Sequence, residues 1–238
     1  MIGSRREWLS SSWSACVDFE FKTIDHNNLG EVVYQNIAEA LIKGALRPGA
    51  RLKIRDLAQE MGTSVTPVRD AILRLVHEGA LLLKSPRDIR VPVLQQERYL
   101  EIRTIRLKLE GLAAERAATV AEPADIKRLE ALVGENERAL SAQEFARATE
   151  INQVFHFELA NIAAMPVLRG ILHNLWLQMG PVISAAYEDG GRTMIEHHYV
   201  VLDAIRRHDA QAAKNAIRED ILQGGGVILS SNVLSDDM

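Results

Sequence analysis

Apolar positions recur along this chain with two different periods, and the change of period divides it. Val33, Ile37, Leu41 and Ile42 fall on one stripe of a helix that begins near Glu31. Pro48 and Gly49 in RPGARL (47–52) interrupt the stripe. A second, short helix is predicted over Ile54–Met61, with Leu57, Ala58 and Met61 facing inward, and Gly62 ends it. A third follows in GTSVTPVRDAILRLVHEGAL (62–81). Ser64 or Thr66 is placed to cap it, and Pro67 suits the first turn, where a missing N–H costs nothing. Ala71, Ile72, Leu75 and Val76 form its apolar face, and Gly79 stands as its C′ residue. In ALLLKSPRDIRVPVL (80–94) two short apolar runs flank a turn, the pattern of a two-stranded hairpin. Three helices and a small hairpin within residues 31–95 make a winged helix-turn-helix.

Beyond Gln95 the period is helical almost throughout. Helices are predicted near 97–119, 124–140, 143–163, 166–187, 192–208 and 210–222, with Pro123 and Pro166 at first turns. SAQE (141–144) has capping-box spacing. Three glycines after Gln223 end the last helix, leaving a mobile tail whose Val227, Ile228 and Leu229 offer a docking patch. The expected fold is mainly α, an N-terminal winged helix-turn-helix with a small β-hairpin wing joined to an all-α bundle. The expected organisation is an arm at 1–30, the winged unit at 31–95, the bundle at 96–222 and a tail at 223–238.

Charge sharpens this division. Residues 31–95 carry ten Lys/Arg against seven Asp/Glu, a balance of +3, whereas residues 96–238 carry fifteen against twenty-one, a balance of −6. A basic small unit beside an acidic larger one suits a polyanion partner for the first. With Cys16 the sole cysteine, no internal disulfide is available. No apolar run reaches the roughly 20 residues that span a bilayer, and the first residues lack the apolar core of a signal peptide. A cytoplasmic protein without a membrane partner is expected.

The third helix then has a chemical purpose. In a helix-turn-helix the second helix of the motif enters the major groove, its apolar face packed on the domain and its polar face turned to DNA. Arg69 and Arg74 supply donors suited to guanine or phosphate. Ser64 and Thr66 stand where a phosphate meets the positive end of a helix dipole. Lys84, Arg87 and Arg90 lie in the wing.

The stretch from about Val32 to Val93 resembles the winged-helix domain of the GntR family of bacterial transcription regulators. LRPGARL, DLAQEMGTS and TPVRDAILRL followed by EG stand in the family's order and spacing. The resemblance places DNA-contacting arginines at Arg55 and Arg69. Two positions depart from the family pattern: Val65 replaces an arginine at the start of the reading helix, and Asp88 stands near the usual wing glycine. Val65 offers a contact to a thymine methyl in place of the lost arginine.

From Glu97 onward the chain resembles the helical effector domain of the FadR subgroup, called FCD, on YLEIRTIRLKLEGLAAERAA (99–118) and more diffusely to residue 222. The resemblance implies a divalent metal held in the bundle by Asn152 and His156, four apart in NQVFH, by His198 in EHHYVVLDAI, and by Asp220 in IREDIL. Asn152 replaces the family's Asp, and Asp220 replaces its last His, so the charge balance is kept. Such donors suit zinc, nickel or manganese. The alternative is a pair of hydrogen-bonded core histidines. Arg106 is the candidate grip for a carboxylate effector; the alternative is an ion pair with Glu110 one turn away.

These readings converge on a ligand-responsive DNA-binding regulator, a homodimer on double-stranded operator DNA that senses a small organic acid. Two other classes compete: a metal-dependent hydrolytic enzyme, and a dimerisation module with a vestigial pocket. The chain has no H-E-x-x-H and no paired base and nucleophile, so an enzyme is not expected.

Overall fold

The computed structural model describes residues 29–85 and 87–235. Of the arm expected at 1–30, residues 1–28 lie outside this range, and the last two residues already belong to the first helix, α1 (Leu29–Ile42). α1 buries Val33, Tyr34, Ile37, Ala38, Leu41 and Ile42, the predicted stripe and its neighbours. After a short strand β1 (Arg51–Leu52) come α2 (Ile54–Glu60) and α3 (Val65–His77). Ser64 occupies the N-cap of α3, and Gly79 follows its C-cap at φ 73°, a left-handed turn that residues with a Cβ adopt only under strain. β2 (Leu82–Ser85) and β3 (Asp88–Arg90) form the wing hairpin. The sheet has three strands rather than the two predicted, in the order β1-β3-β2 and antiparallel throughout, with Leu52 opposite Ile89. A two-residue strand leaves no period to detect, which is why Arg51–Leu52 escaped the pattern.

The remainder is helical: α4 (Gln96–Val120), α5 (Pro123–Ser141), α6 (Phe145–Ile162), α7 (Pro166–Gly190), a 3₁₀ turn at Gly191–Met194, α8 (Glu196–Arg206) and α9 (Ala210–Ser230). Pro123 and Pro166 open their helices as predicted. Two details differ. Ser141 does not cap a helix but closes α5, and Gln143 beyond it takes φ 58°; the capping box sits instead at Glu122 and Asp125. The last helix does not stop at 222. It runs through all three glycines to Ser230 because packing overrides their low propensity. A Cβ on Gly225 would come within 2.7 Å of the Tyr99 hydroxyl, and Gly224, Gly225 and Ile228 are buried against α4 and the 3₁₀ turn. The chain then returns to the junction between the two units: Ser235 N–H donates to the Leu94 carbonyl (3.0 Å), and its own carbonyl accepts from Gln96 N–H (3.2 Å).

α7 is the element on which the winged unit rests. A Cβ on Gly180 would lie 2.3 Å from the Leu41 carbonyl oxygen and 2.4 Å from that of Ile42, so the end of α1 lies directly on the α7 backbone. Gly44, at φ 69°, approaches Ser184 on the next turn of α7. Pro181 sits inside the helix at this joint, and its missing N–H frees the carbonyl one turn earlier. Among the described residues no helix is long and apolar enough to cross a membrane.

Candidate functional site

Two sites emerge. The first is a concavity of about 670 Å³ between the wing and α3, lined by Arg51, Lys53, Arg55, Val65, Arg69 and Arg87. Arg55, Arg69 and Arg87 are exposed, and their guanidiniums form no ion pair among the described residues, so all their donors face solvent. Ser64 makes no side-chain cap bond, which leaves its hydroxyl at the start of α3 unengaged, and Thr66 beside it is exposed. Arg51 and Lys53 join this face from the segment before α2, and the helical and hairpin patterns gave no reason to select them. Asp88, acidic where a wing meets DNA, is offset by Arg90 (2.9 Å) and Arg51 (3.5 Å). Arg51 also donates to the Arg87 carbonyl (2.8 Å), tying β1 to the wing tip.

Arg74 does not share this face. A helix turns about 100° per residue, so residues five apart point about 140° from each other. Arg74 turns towards α1, donating to Glu31 (2.7 Å) and Glu78 (3.1 Å) while its guanidinium lies 3.6 Å above the Tyr34 ring. Tyr34 donates in turn to Glu78 (2.7 Å). Gln35 and then Arg74 hold the Glu31 carboxyl below its ordinary range. Arg74 is a brace between α1 and α3, which corrects its expected place on the DNA-facing side.

The second site lies at the centre of the bundle. α6 brings Asn152 and His156 to one face, α8 contributes His198 and α9 contributes Asp220, all buried. The donor atoms of His156, His198 and Asp220 lie within 4.8 Å of one another. His156 Nε2 is 3.3 Å from one Asp220 oxygen, and His198 Nε2 is 3.5 Å from the other. Asn152 lines the adjoining cavity together with Arg106. Phe155 stacks on His198 at 4.1 Å, and Trp176 of α7 packs against His156 at 5.3 Å.

α4 supplies a member that the sequence reading left outside the site. Glu110, 1% exposed, accepts from Arg106 Nε through one oxygen (2.5 Å) and meets His156 Nδ1 with the other (2.5 Å). The Arg106–Glu110 pair is therefore formed, and Arg106 also packs over the Trp176 ring at 4.6 Å. A carboxylate on Nδ1 fixes the imidazole so that Nε2 presents its lone pair to the centre, the arrangement common behind metal-bound histidines. Burial would raise the Glu110 carboxyl, but Arg106 and then His156 outweigh it and hold it at about 2. Burial would lower His156, but Glu110 and Asp220 draw it up to about 9, whereas burial, reinforced by His156 and His197, pushes His198 down to about 4.

Both ring nitrogens of His198 and one oxygen of Asp220 are buried without a hydrogen-bond partner. Orphaned buried groups of this kind are rare because each costs about 1–3 kcal/mol. Two of them, His198 Nε2 and an Asp220 oxygen, lie 3.5 Å apart, and a divalent ion between them would satisfy both. The residues therefore fit the metal: two imidazoles and a carboxylate, with an amide oxygen alongside.

Comparison with known proteins agrees with this anatomy. Residues 29–91 match the family described as bacterial regulatory proteins, gntR family, and residues 101–223 match the FCD domain. The HTH-type transcriptional regulator McbR of Escherichia coli (strain K12) is 30% identical over 207 residues, covering 85% of this chain and 94% of McbR. A probable D-xylose utilization operon transcriptional repressor of Paenarthrobacter nicotinovorans is 26% identical, covering 86% and 91%. The solved structure of E. coli McbR/YncC superposes with a TM-score of 0.80 at 29% identity, covering 86% of this chain and 98% of that one. These relatives are transcriptional regulators, not enzymes, and the hydrolytic reading falls with that. The chain belongs to the GntR family of bacterial transcription regulators, as a DNA-binding member that carries an FCD domain.

Proposed function

We propose that this regulator works in the cytoplasm as a homodimer on operator DNA and senses a small organic acid through a divalent metal in its bundle. The metal, zinc, nickel or manganese, would be held by His156, His198 and Asp220 with Asn152 beside them. The observation that supports this reading is the cluster of His156, His198 and Asp220, in which His198 Nε2 and an Asp220 oxygen are buried without a partner, with Glu110 behind the His156 ring. When bound, the ion would act as a Lewis acid for a carboxylate. Arg106, lining the same cavity, would grip that group with the donors that Glu110 leaves free. The cavity measures about 30 Å³, room for a water or two but not for an organic acid. Entry therefore requires its wall to move, and that wall includes Ile183 of α7 and Gly224–Gly225 of α9. Because α7 also carries the end of α1, a ligand that prefers the opened bundle would change the position of the winged unit. A coupling of about 1–3 kcal/mol between effector and operator is the usual scale.

Metal-replete wild-type protein is expected to carry stoichiometric metal and to melt several degrees higher than metal-stripped protein. Ligand present at a hundred times its Kd adds about 2.7 kcal/mol. His156→Ala combined with His198→Ala should abolish both effects and leave helicity and operator binding intact. Elemental analysis showing no metal, with a melting temperature unmoved by zinc, nickel or manganese, would overturn the metal reading and leave a vestigial pocket.

On DNA, we propose that Arg55, Arg69, Arg87, Ser64 and Thr66 make the contacts, with two copies of the chain on two half-sites. Arg69→Ala should weaken operator binding by about 1–3 kcal/mol and relax preference at one base pair if the contact is bidentate to guanine. If the contact is to phosphate, all sequences should weaken alike and the salt slope should fall by about 1. An unchanged affinity and slope would remove Arg69 from the interface. Arg74→Ala, which breaks the brace, should leave base preference as it was.

A further inference from the structure

α4 is used on two sides. Its inner side carries Arg106 and Glu110, both buried. Its outer side presents two large apolar side chains to solvent, Ile105 at 38% exposure and Leu112 at 43%. At about 100° per residue, Glu101, Ile105, Lys108, Leu112 and Arg116 share a stripe about 80° wide, and all five are exposed. α9 packs along one flank of α4, with Gly225 against Tyr99 and Arg218 against Gly111. Leu222, between those two contacts on α9, is 38% exposed.

The stripe is balanced about its own middle. Ile105 and Leu112 stand equally far from a point midway between Lys108 and Leu109, and so do Glu101 and Arg116. Laid antiparallel on a second α4 about a two-fold axis through that point, each Ile105 meets the other copy's Leu112, and each Glu101 meets its Arg116. A two-fold interface demands this kind of self-complementarity. The charges are available for it. Arg116 makes no ion pair with any described residue, and among them Glu101 meets only Arg98, at 3.7 Å. Lys108, nearest the axis, has a stem long enough to cover the seam while its ammonium stays in water. Residues 96–238 carry a balance of −6, so two bundles repel as wholes and need a locally matched face to meet.

The spacing suits DNA as well. α4 begins at Gln96, where the winged unit ends. In the antiparallel register the two Gln96 positions would lie about 37 Å apart, at 1.5 Å per residue. Half-sites one helical turn apart on B-DNA are separated by about 34–36 Å.

We infer that the outer stripe of α4 is the seam of the homodimer and that its occupant is α4 of a second copy, running antiparallel. This rests on the homodimer reading given above and adds to it the face and the register. Ile105 and Arg106 are adjacent in sequence on opposite sides of the helix, so a ligand held at Arg106 would bear directly on the element that spaces the two winged units.

Sedimentation equilibrium on the full chain tests the seam. The wild type should be a dimer at micromolar concentration. Ile105→Asp should raise the dimer Kd at least about tenfold, because it sets a carboxylate against Leu112. Arg116→Glu and Glu101→Arg should each weaken the dimer by about tenfold, since like charges then meet across the seam. Combined, the two reversals should bring Kd back to within about threefold of the wild type. All three positions are exposed, so helicity should not change in any of these variants. An Ile105→Asp chain that dimerises as tightly as the wild type overturns the seam, and so does a double reversal no tighter than its parents. In both cases the wild-type dimer persists, and the homodimer reading stands with its interface elsewhere. A wild type that is monomeric at micromolar concentration overturns that reading and the seam together.

Discussion

Glu110→Ala is expected to lower the melting temperature by about 10 °C. Removing one partner of a buried ion pair costs about 3–5 kcal/mol, since the other charge is left unpaired in a low-dielectric interior. Each kcal/mol is worth about 2–4 °C in a domain of this size. Arg106, 5% exposed, would lose the carboxylate at 2.5 Å, and His156 Nδ1 would lose its own partner at the same distance. Metal affinity should fall as well, by about 10–100-fold, because the carboxylate behind the ring sets its orientation and basicity. Two further variants separate these effects. Glu110→Gln keeps the shape and should recover much of the stability while metal affinity stays low. Arg106→Met with Glu110→Leu replaces the pair by apolar groups of similar size and should restore stability further without restoring the metal. A Glu110→Ala protein that melts within about 2 °C of the wild type would show that Glu110 does not hold α4 to α6 through His156.

Gly180→Ala should detach the winged unit from the bundle. In an ordinary helix this change stabilises, by up to about 1 kcal/mol. Here the added methyl would meet backbone oxygens of Leu41 and Ile42 at 2.3 and 2.4 Å, and no rotamer relieves a backbone contact. Overpacking of this kind costs about 1–3 kcal/mol, so the sign reverses. The expected result is an intact bundle with normal metal uptake, a separate low-temperature melting transition for residues 29–91, and operator affinity that no longer responds to the bundle's ligands. Calorimetry and proteolysis across residues 92–96 would read it. A single transition at or above the wild-type temperature would mean that α1 does not rest on α7.

The winged unit was legible because its turns are punctuated by Pro48, Gly49, Gly62, Pro67 and Gly79, and its helices each keep one apolar face. Pro123 and Pro166 did the same for the bundle. What was not legible depends on packing. Arg74 sits on the polar side of α3, and only the position of α1 shows that this part of the surface belongs to Glu31 and Tyr34. The glycines of α9 break a helix by propensity, yet they continue one because Tyr99 leaves no room for a side chain. At the candidate metal site, His156 and Asp220 are 64 residues apart, and no periodicity joins them. The family resemblance brought them together. Glu110 remained outside that set because its role depends on α4 packing against α6.

The path of α9 bears on where such a domain is cut. The FCD match ends at residue 223, whereas the helix continues to Ser230 and the chain is pinned at Ser235 to the junction that precedes α4. An excised bundle drawn to the family boundary would lose two helical turns, uncover the Tyr99 ring and open one wall of the cavity beside Asp220. A fusion partner appended directly after Ser235 would start beside the joint between the two units.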